Sequence, residues 1–131
     1  MNLLSWNCSG LGNQHAVDVL SHLVREKSPK VLFLMETKQS VEEMRRIQAD
    51  LPYCCMLAIP REQRRGGLAL LWKEDVKLHI QTYSPNHIDA LILNGSDPPW
   101  RLTGFYGWLE EQRKREFWQL LKHMHTRFSV P

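Results

Sequence analysis

Two apolar runs in this sequence stop on a side chain that carries oxygen. Leu3, Leu4, Ser5 and Trp6 lead to Asn7, and the run from Val31 to Met35 leads to Glu36. A carboxylate at the end of a wholly apolar run is costly unless it is hydrated, paired or bound to a metal ion. A carboxamide oxygen can ligate a hard cation or orient a water on one. Donors of this kind suit Mg²⁺ or Mn²⁺ and not a zinc–thiolate centre. Tyr106 is a third candidate, in Thr-Gly-Phe-Tyr-Gly between Gly104 and Gly107. Its phenol can donate to a phosphate oxygen, and the glycines let a ligand approach and the chain turn. Each residue also has a plainer role open to it. Asn7 can form a turn ahead of Gly10, Glu36 can be a surface carboxylate, and Tyr106 can be core or rim packing.

The elements that must position these groups follow from hydrophobic period. Residues 2–8 alternate as a strand, with Leu4, Trp6 and Cys8 on one side. Gly10 and Gly12 break it, and Asn13 can cap a helix over 14–27. Ala16, Val17, Leu20, Leu23 and Val24 make its apolar stripe, and Pro29 closes it. Residues 31–35 are apolar without alternation, as in a strand buried on both faces. Ser40 and Glu43 have capping-box spacing ahead of a second helix carrying Val41, Met44, Ile47 and Leu51. Strands are predicted over 53–59, 67–73, 76–82, 87–94 and 100–106, then a helix over 111–125 bearing Phe117, Leu120, Leu121 and Met124. Short links from 67 to 106 predict one antiparallel meander joined to a mixed sheet with helices on one face. The other face would then need a second sheet, for which few strands remain.

Composition sets limits on function. The 131 residues are 43% hydrophobic and 24% charged, which is ordinary for one globular domain. A net charge of +3 permits nucleic acid as a partner without demanding it. Basic clusters at 61–65 and 112–116 are either solvated faces or phosphate contacts. Cys8, Cys54 and Cys55 make no disulfide framework, and adjacent Cys54 and Cys55 should alternate across a strand as poor partners for each other. A reducing, intracellular compartment, nucleus or cytoplasm, is the simpler expectation. No apolar run approaches the roughly 18–20 residues of a membrane span, and no signal peptide is apparent. The histidines His15, His22, His79, His87, His123 and His125 have no metal-ligand company by spacing and are expected to be solvated or locally bonded. Gly66 and Gly67 precede no Gly-Lys-Ser/Thr, so they are no Walker loop and read as a tight turn.

Taken in order, "LSWNCSGLGN", "VLFLMETK", "RRGGLALLW" and "WRLTGFYG" resemble the endonuclease domain of plant LINE-type (non-LTR) retrotransposons. That domain belongs to the endonuclease/exonuclease/phosphatase family, and the resemblance covers nearly the whole chain. It implies an α/β fold, a partial four-layer DNase I-like sandwich. Residues 1–131 would form its N-terminal portion, a mixed/antiparallel sheet with helices on one face and the second sheet largely missing. It implies Mg²⁺ or Mn²⁺ as cofactor and DNA as partner, with no membrane role. By position Asn7 looks like the family's active-site asparagine and Glu36 like its metal-binding glutamate. Tyr106 is similar to the tyrosine that contacts the scissile phosphate. Ser9 departs from the arginine or aspartate usual there. The family's later Gly-Asp-Phe-Asn phrase and terminal Asp-His pair have no counterpart in these residues. The expectation is a truncated relative, inactive without a positioned general base. The alternatives are a residual nucleic-acid binder and a phosphatase of the same family.

Overall fold

The computed structural model describes residues 2–95 and 97–105. Their order is β1 (Leu3–Asn7), α1 (Gln14–Lys27), β2 (Val31–Met35), α2 (Val41–Ala49), β3 (Cys55–Glu62), β4 (Arg65–Trp72), β5 (Lys77–Ser84), β6 (His87–Asn94) and β7 (Asp97–Phe105). The expected helix over 111–125, the basic cluster at 112–116 and Tyr106 lie outside the described residues.

Local chemistry sets both helices. The Asn13 side-chain oxygen accepts from the Ala16 amide at 2.9 Å, meeting one of the donors a helix start leaves unpaired. At the other end Ser28 turns left-handed, with φ 44°, and its amide reaches the Val24 carbonyl at 2.8 Å. In α2 the capping box is complete. The Ser40 amide donates to Glu43 Oε1 at 2.9 Å, and the Glu43 amide donates to Ser40 Oγ at 3.1 Å. The Ser40 amide, and next the Ser40 hydroxyl, hold the Glu43 carboxyl below its usual range.

The strands form two sheets. The first has the order β1-β2-β4-β3, with β1 and β2 parallel and the other neighbours antiparallel. The second is the antiparallel run β5-β6-β7. The expectation of a single meander over 67–106 is corrected here: β4 pairs between β2 and β3, and only β5 to β7 form the meander. The sequence contains the reason. Leu68 to Leu71 are all buried, so β4 needs cover on both faces and takes a central place, like β2. At Lys73 a turn closed by the Val76 amide on the Lys73 carbonyl, at 3.0 Å, carries the chain over to the other sheet.

Two apolar cores result. One lies under the helices, where Leu20, Val24 and Met44 meet Cys8, Leu32, Leu34, Ala69 and Leu71. Leu4 and Trp6 pack there too, so the predicted face of β1 holds. The other lies between the sheets, where Val31, Phe33, Ile59, Leu68 and Leu70 meet Ile88, Ala90 and Ile92. This smaller sheet covers the face for which the sequence offered few strands. The architecture is thus a partial DNase I-like α/β sandwich, with helices on one face and a smaller sheet on the other. Among the described residues no helix is long and apolar enough to cross a membrane.

Candidate functional site

Because β1 and β2 are parallel, their carboxyl ends reach the same edge of the sheet. Asn7 lies opposite Met35, the residue before Glu36. Open α/β sheets bind ligands outside such ends. Beyond β2 the chain does not leave the sheet at once. The Gly10 and Leu11 amides donate to the Glu36 and Thr37 carbonyls, both at 2.9 Å. On the other side the Thr37 and Lys38 amides donate to the Gly67 and Gly66 carbonyls, at 3.1 and 2.9 Å. Glu36 therefore sits in a backbone clamp between the loop after β1 and the start of β4.

This clamp concentrates unusual backbone. Ser9, Gly10, Glu36, Lys38, Gly66 and Gly67 all have positive φ, from 50° to 98°. For the residues with a Cβ that conformation costs roughly 1–2 kcal/mol each, and such strain gathers at functional sites. The expected tight turn at Gly66 and Gly67 proves to be a working part of β4. Their carbonyls hold the segment after Glu36, and Gly67 leaves room for Thr37. Thr37 itself is fully buried, and its hydroxyl has no hydrogen-bond partner among the described residues.

The Glu36 side chain is about one-quarter exposed, at 24%, and Lys38 Nζ lies 3.9 Å from its Oε1. The Asn7 side-chain oxygen accepts from the Ser9 amide at 3.0 Å and more weakly from the Ser9 hydroxyl at 3.4 Å. An amide oxygen has two lone pairs, so a cation reaching it must displace the hydroxyl. Cys8 between them is buried under the helices, and burial pushes its thiol up to about 12. It packs into the core under the helices.

Among the described residues no three His, Cys, Asp or Glu side chains converge to hold a metal. A single carboxylate with a neighbouring amide still suits Mg²⁺, which keeps several waters and takes one or two carboxylates with substrate phosphates. The donor set therefore fits a hydrated hard cation on Glu36. When bound, such a cation would act as a Lewis acid toward a phosphoryl oxygen.

Sequence reasoning passed over one polar cluster. Asp89 lies wholly buried in β6, on the face away from the inter-sheet core. Arg101 Nε and Nη2 donate to its two oxygens at 2.9 and 2.7 Å, and Thr103 Oγ1 donates at 2.9 Å. The signal was an acid between Ile88 and Ala90 in an alternating strand. Only the β6–β7 register shows what neutralises it. Near it His87 is locally bonded, as expected of the histidines: Nδ1 meets Ser84 Oγ at 2.6 Å and Nε2 meets Thr82 Oγ1 at 3.1 Å.

A family model described as "Endonuclease/Exonuclease/phosphatase family" matches residues 4–124. The chain belongs to this family. Solved structures with the same fold include an AP endonuclease from Leishmania major, 14% identical with a TM-score of 0.65, over 88% of this chain and 43% of that one. A truncated Caenorhabditis elegans TDP2 is 16% identical with a TM-score of 0.61, over 96% of this chain and 56% of that one. A 3′-5′ exonuclease from Neisseria meningitidis is 15% identical with a TM-score of 0.61, over 98% and 54%. The chain thus spans about half the length of these structures. Among curated proteins no match was found. At such identities the structural likeness concerns the fold. It agrees with the doubly covered first sheet of this endonuclease/exonuclease/phosphatase family member.

Proposed function

We propose that these residues form the metal-binding half of a Mg²⁺- or Mn²⁺-dependent phosphodiesterase site and do not by themselves turn substrate over. The observation that carries this is the backbone clamp that holds Glu36, in left-handed conformation, beside Asn7 at one sheet edge. Glu36 is the cation's carboxylate. Asn7 is the amide beside it, available to the cation or its water once the Ser9 hydroxyl swings aside. Tyr106, one residue beyond Phe105 at the end of β7, is the phosphate-contacting phenol. Within these residues no Asp follows Asp97, and the later carboxylates are the glutamates Glu110, Glu111 and Glu116, which match none of the family's base phrases. Losing a positioned base costs about 10²–10⁴ in rate.

DNA is the proposed substrate of the site's ancestry, and the β3–β4 hairpin supports it. Arg61 pairs with Gly66 and Glu62 with Arg65 at the edge where Met35 pairs with Leu68. Arg61, Arg64 and Arg65 are exposed there, close to the clamp. Exposed arginines beside a cation site suit a phosphate backbone. The narrower assignment, to the endonucleases of plant LINE-type retroelements, rests on the wording of the four sequence phrases.

The test has two arms. Calorimetric titration with Mg²⁺ and Mn²⁺ should show one weak site that Glu36→Gln removes; no binding would overturn the metal assignment. Incubation with supercoiled plasmid, abasic DNA and inositol phosphates should show no turnover. Glu36-dependent nicking would overturn the inactive half, and turnover of inositol phosphates alone would transfer the chain to the phosphatases.

A further inference from the structure

Cys54 and Cys55 do not behave as alternating strand residues. Cys55 opens β3 opposite Trp72, but Cys54 lies just before the strand, in a bend. Alternation does not extend to it, and the two sulfurs lie 3.4 Å apart. The expectation that they point apart is thereby corrected. Cys54 is exposed and Cys55 half-buried, and neither is in a disulfide.

The backbone around the pair is fixed from both sides. Tyr53, only 3% exposed, donates its hydroxyl to the Pro29 carbonyl at 2.7 Å. The Tyr53 carbonyl in turn accepts from Gln48 Nε2 at 3.0 Å. Cys55 is held by the β3–β4 ladder. Two sulfurs carried on pinned backbone form a chelate with little left to order, which is where bidentate binding gains most.

The separation discriminates among uses. A disulfide would join residues whose Cα atoms are about 3.8 Å apart across a trans peptide, below the usual range of roughly 4.4–6.8 Å, so it would be strained. Bridging by a third atom needs no such closure. With sulfur bonds of about 2.3 Å, the length found in zinc–thiolate sites, a 3.4 Å span subtends an angle of about 95° at the bridging atom. Zinc prefers a tetrahedral angle and four ligands, and among the described residues no third His, Cys, Asp or Glu joins the pair. A three-coordinate pyramidal centre with a lone pair fits the span and needs only one more substituent.

We propose that Cys54 and Cys55 form a vicinal dithiol site for trivalent, thiophilic centres of the arsenical class. The balanced step is a condensation. An organoarsenic(III) oxide loses its oxygen as water, which takes both thiol protons, while two As–S bonds form and arsenic stays trivalent. No oxidant or reductant is required. The site lies at the opposite end of the first sheet from Glu36. Cys55 and Trp72 share one row and Ile59 and Leu68 another, four residues and about 13 Å along the strands.

Phenylarsine oxide is the probe. Intact mass should show one adduct per chain with water lost, and thiol titration of the denatured protein should fall from three groups to one. Peptide mapping of the unaltered protein should place the adduct on residues 54 and 55. Cys54→Ser and Cys55→Ser should each weaken capture at least about 100-fold, while Cys8→Ser should leave it unchanged. Circular dichroism checks that each variant is folded. Cys54 is exposed, so its serine variant tests the idea even if Cys55→Ser fails to fold. Capture that survives Cys54→Ser, an adduct mapped to Cys8, or loss of only one thiol would each overturn the assignment.

Discussion

The Thr37 side chain occupies the space that a Cβ on Gly67 would need. The contact joins the segment that carries Glu36 to the strand that clamps it. Gly67 also has φ 92°, a conformation that disfavours any side chain. Gly67→Ala should therefore cost about 1–3 kcal/mol in stability. It should also displace the Glu36 segment, so Mg²⁺ binding should weaken more than stability alone predicts. Adding Thr37→Ala should recover part of the loss, the steric part, while the backbone strain stays. Urea unfolding of the single and double variants measures that coupling. Additive effects would show that the two residues do not share space.

The Thr37 hydroxyl is buried with no hydrogen-bond partner among the described residues. A buried unsatisfied group of this kind costs about 1–3 kcal/mol. Thr37→Val keeps the shape and removes the penalty. The expected outcome is a stabilised protein with Mg²⁺ affinity unchanged, read by thermal melting and calorimetry. A destabilised Thr37→Val protein would mean that the hydroxyl has a partner such as a buried water.

Much of this site was legible because it lies on regular elements. The apolar runs ending at Asn7 and Glu36 place both groups at a sheet edge, and two strands joined through a capped helix set the ends on the same side. The clamp was not legible, because it consists of backbone hydrogen bonds between three distant segments. Gly66 and Gly67 look like any turn until Thr37 and Lys38 are paired with them. Gly104 shows the same limit. The sequence reads it as room for a ligand and for the chain to turn, whereas a Cβ there would fall 2.6 Å from the Phe33 ring. The glycine lets β7 lie against β2, a relation between sheets that no local period encodes. The split into two sheets was half visible: the unbroken apolar run in β4 and the alternation in β5 already demanded different surroundings.

Asp89 and Arg101 form a bidentate pair in which the carboxylate is fully buried and the guanidinium side chain is 9% exposed. Breaking one side leaves a buried charge uncompensated, which costs about 3–5 kcal/mol. Arg101→Met alone should destabilise the protein by that order. Asp89→Leu combined with Arg101→Met should regain most of it, since apolar replacements of similar volume are often neutral or better. Chemical denaturation of the three proteins checks this. Equal losses in the single and double variants would mean that the pair contributes through packing alone.

His87 gives the protein a pH dependence of definite sign. Burial lowers its pKa from the ordinary 6.5, and the nearby Asp89 carboxylate opposes the shift without cancelling it. The folded state thus takes up a proton at lower pH than the unfolded state does. Below pH 6.5 the unfolded chain binds more protons, so stability, complete above that value, declines as pH falls toward the folded pKa. His87→Gln should flatten the melting temperature between pH 7 and pH 5.5 relative to the parent, on the order of a unit either side of the ordinary histidine value. An identical slope in both proteins would assign the pH dependence to the carboxylates instead.

Lys38 bears on the candidate site more directly. Its ammonium is 3.9 Å from Glu36 Oε1, and both side chains are partly solvated, so the pair contributes little to stability. It would compete with the cation proposed above for the same carboxylate. Removing a partner worth up to about 1 kcal/mol should tighten cation binding by up to about fivefold. Lys38→Met, which retains the aliphatic stem lying against Gly10, should therefore show stronger Mg²⁺ binding by calorimetry. The gain should shrink as salt is raised and the ion pair is screened. The same variant should bind single-stranded oligonucleotides less well in the absence of Mg²⁺, because a cation at the sheet edge has been lost. Weaker Mg²⁺ binding in Lys38→Met would mean that the lysine holds Glu36 in its binding orientation, and the competition argued here would be wrong.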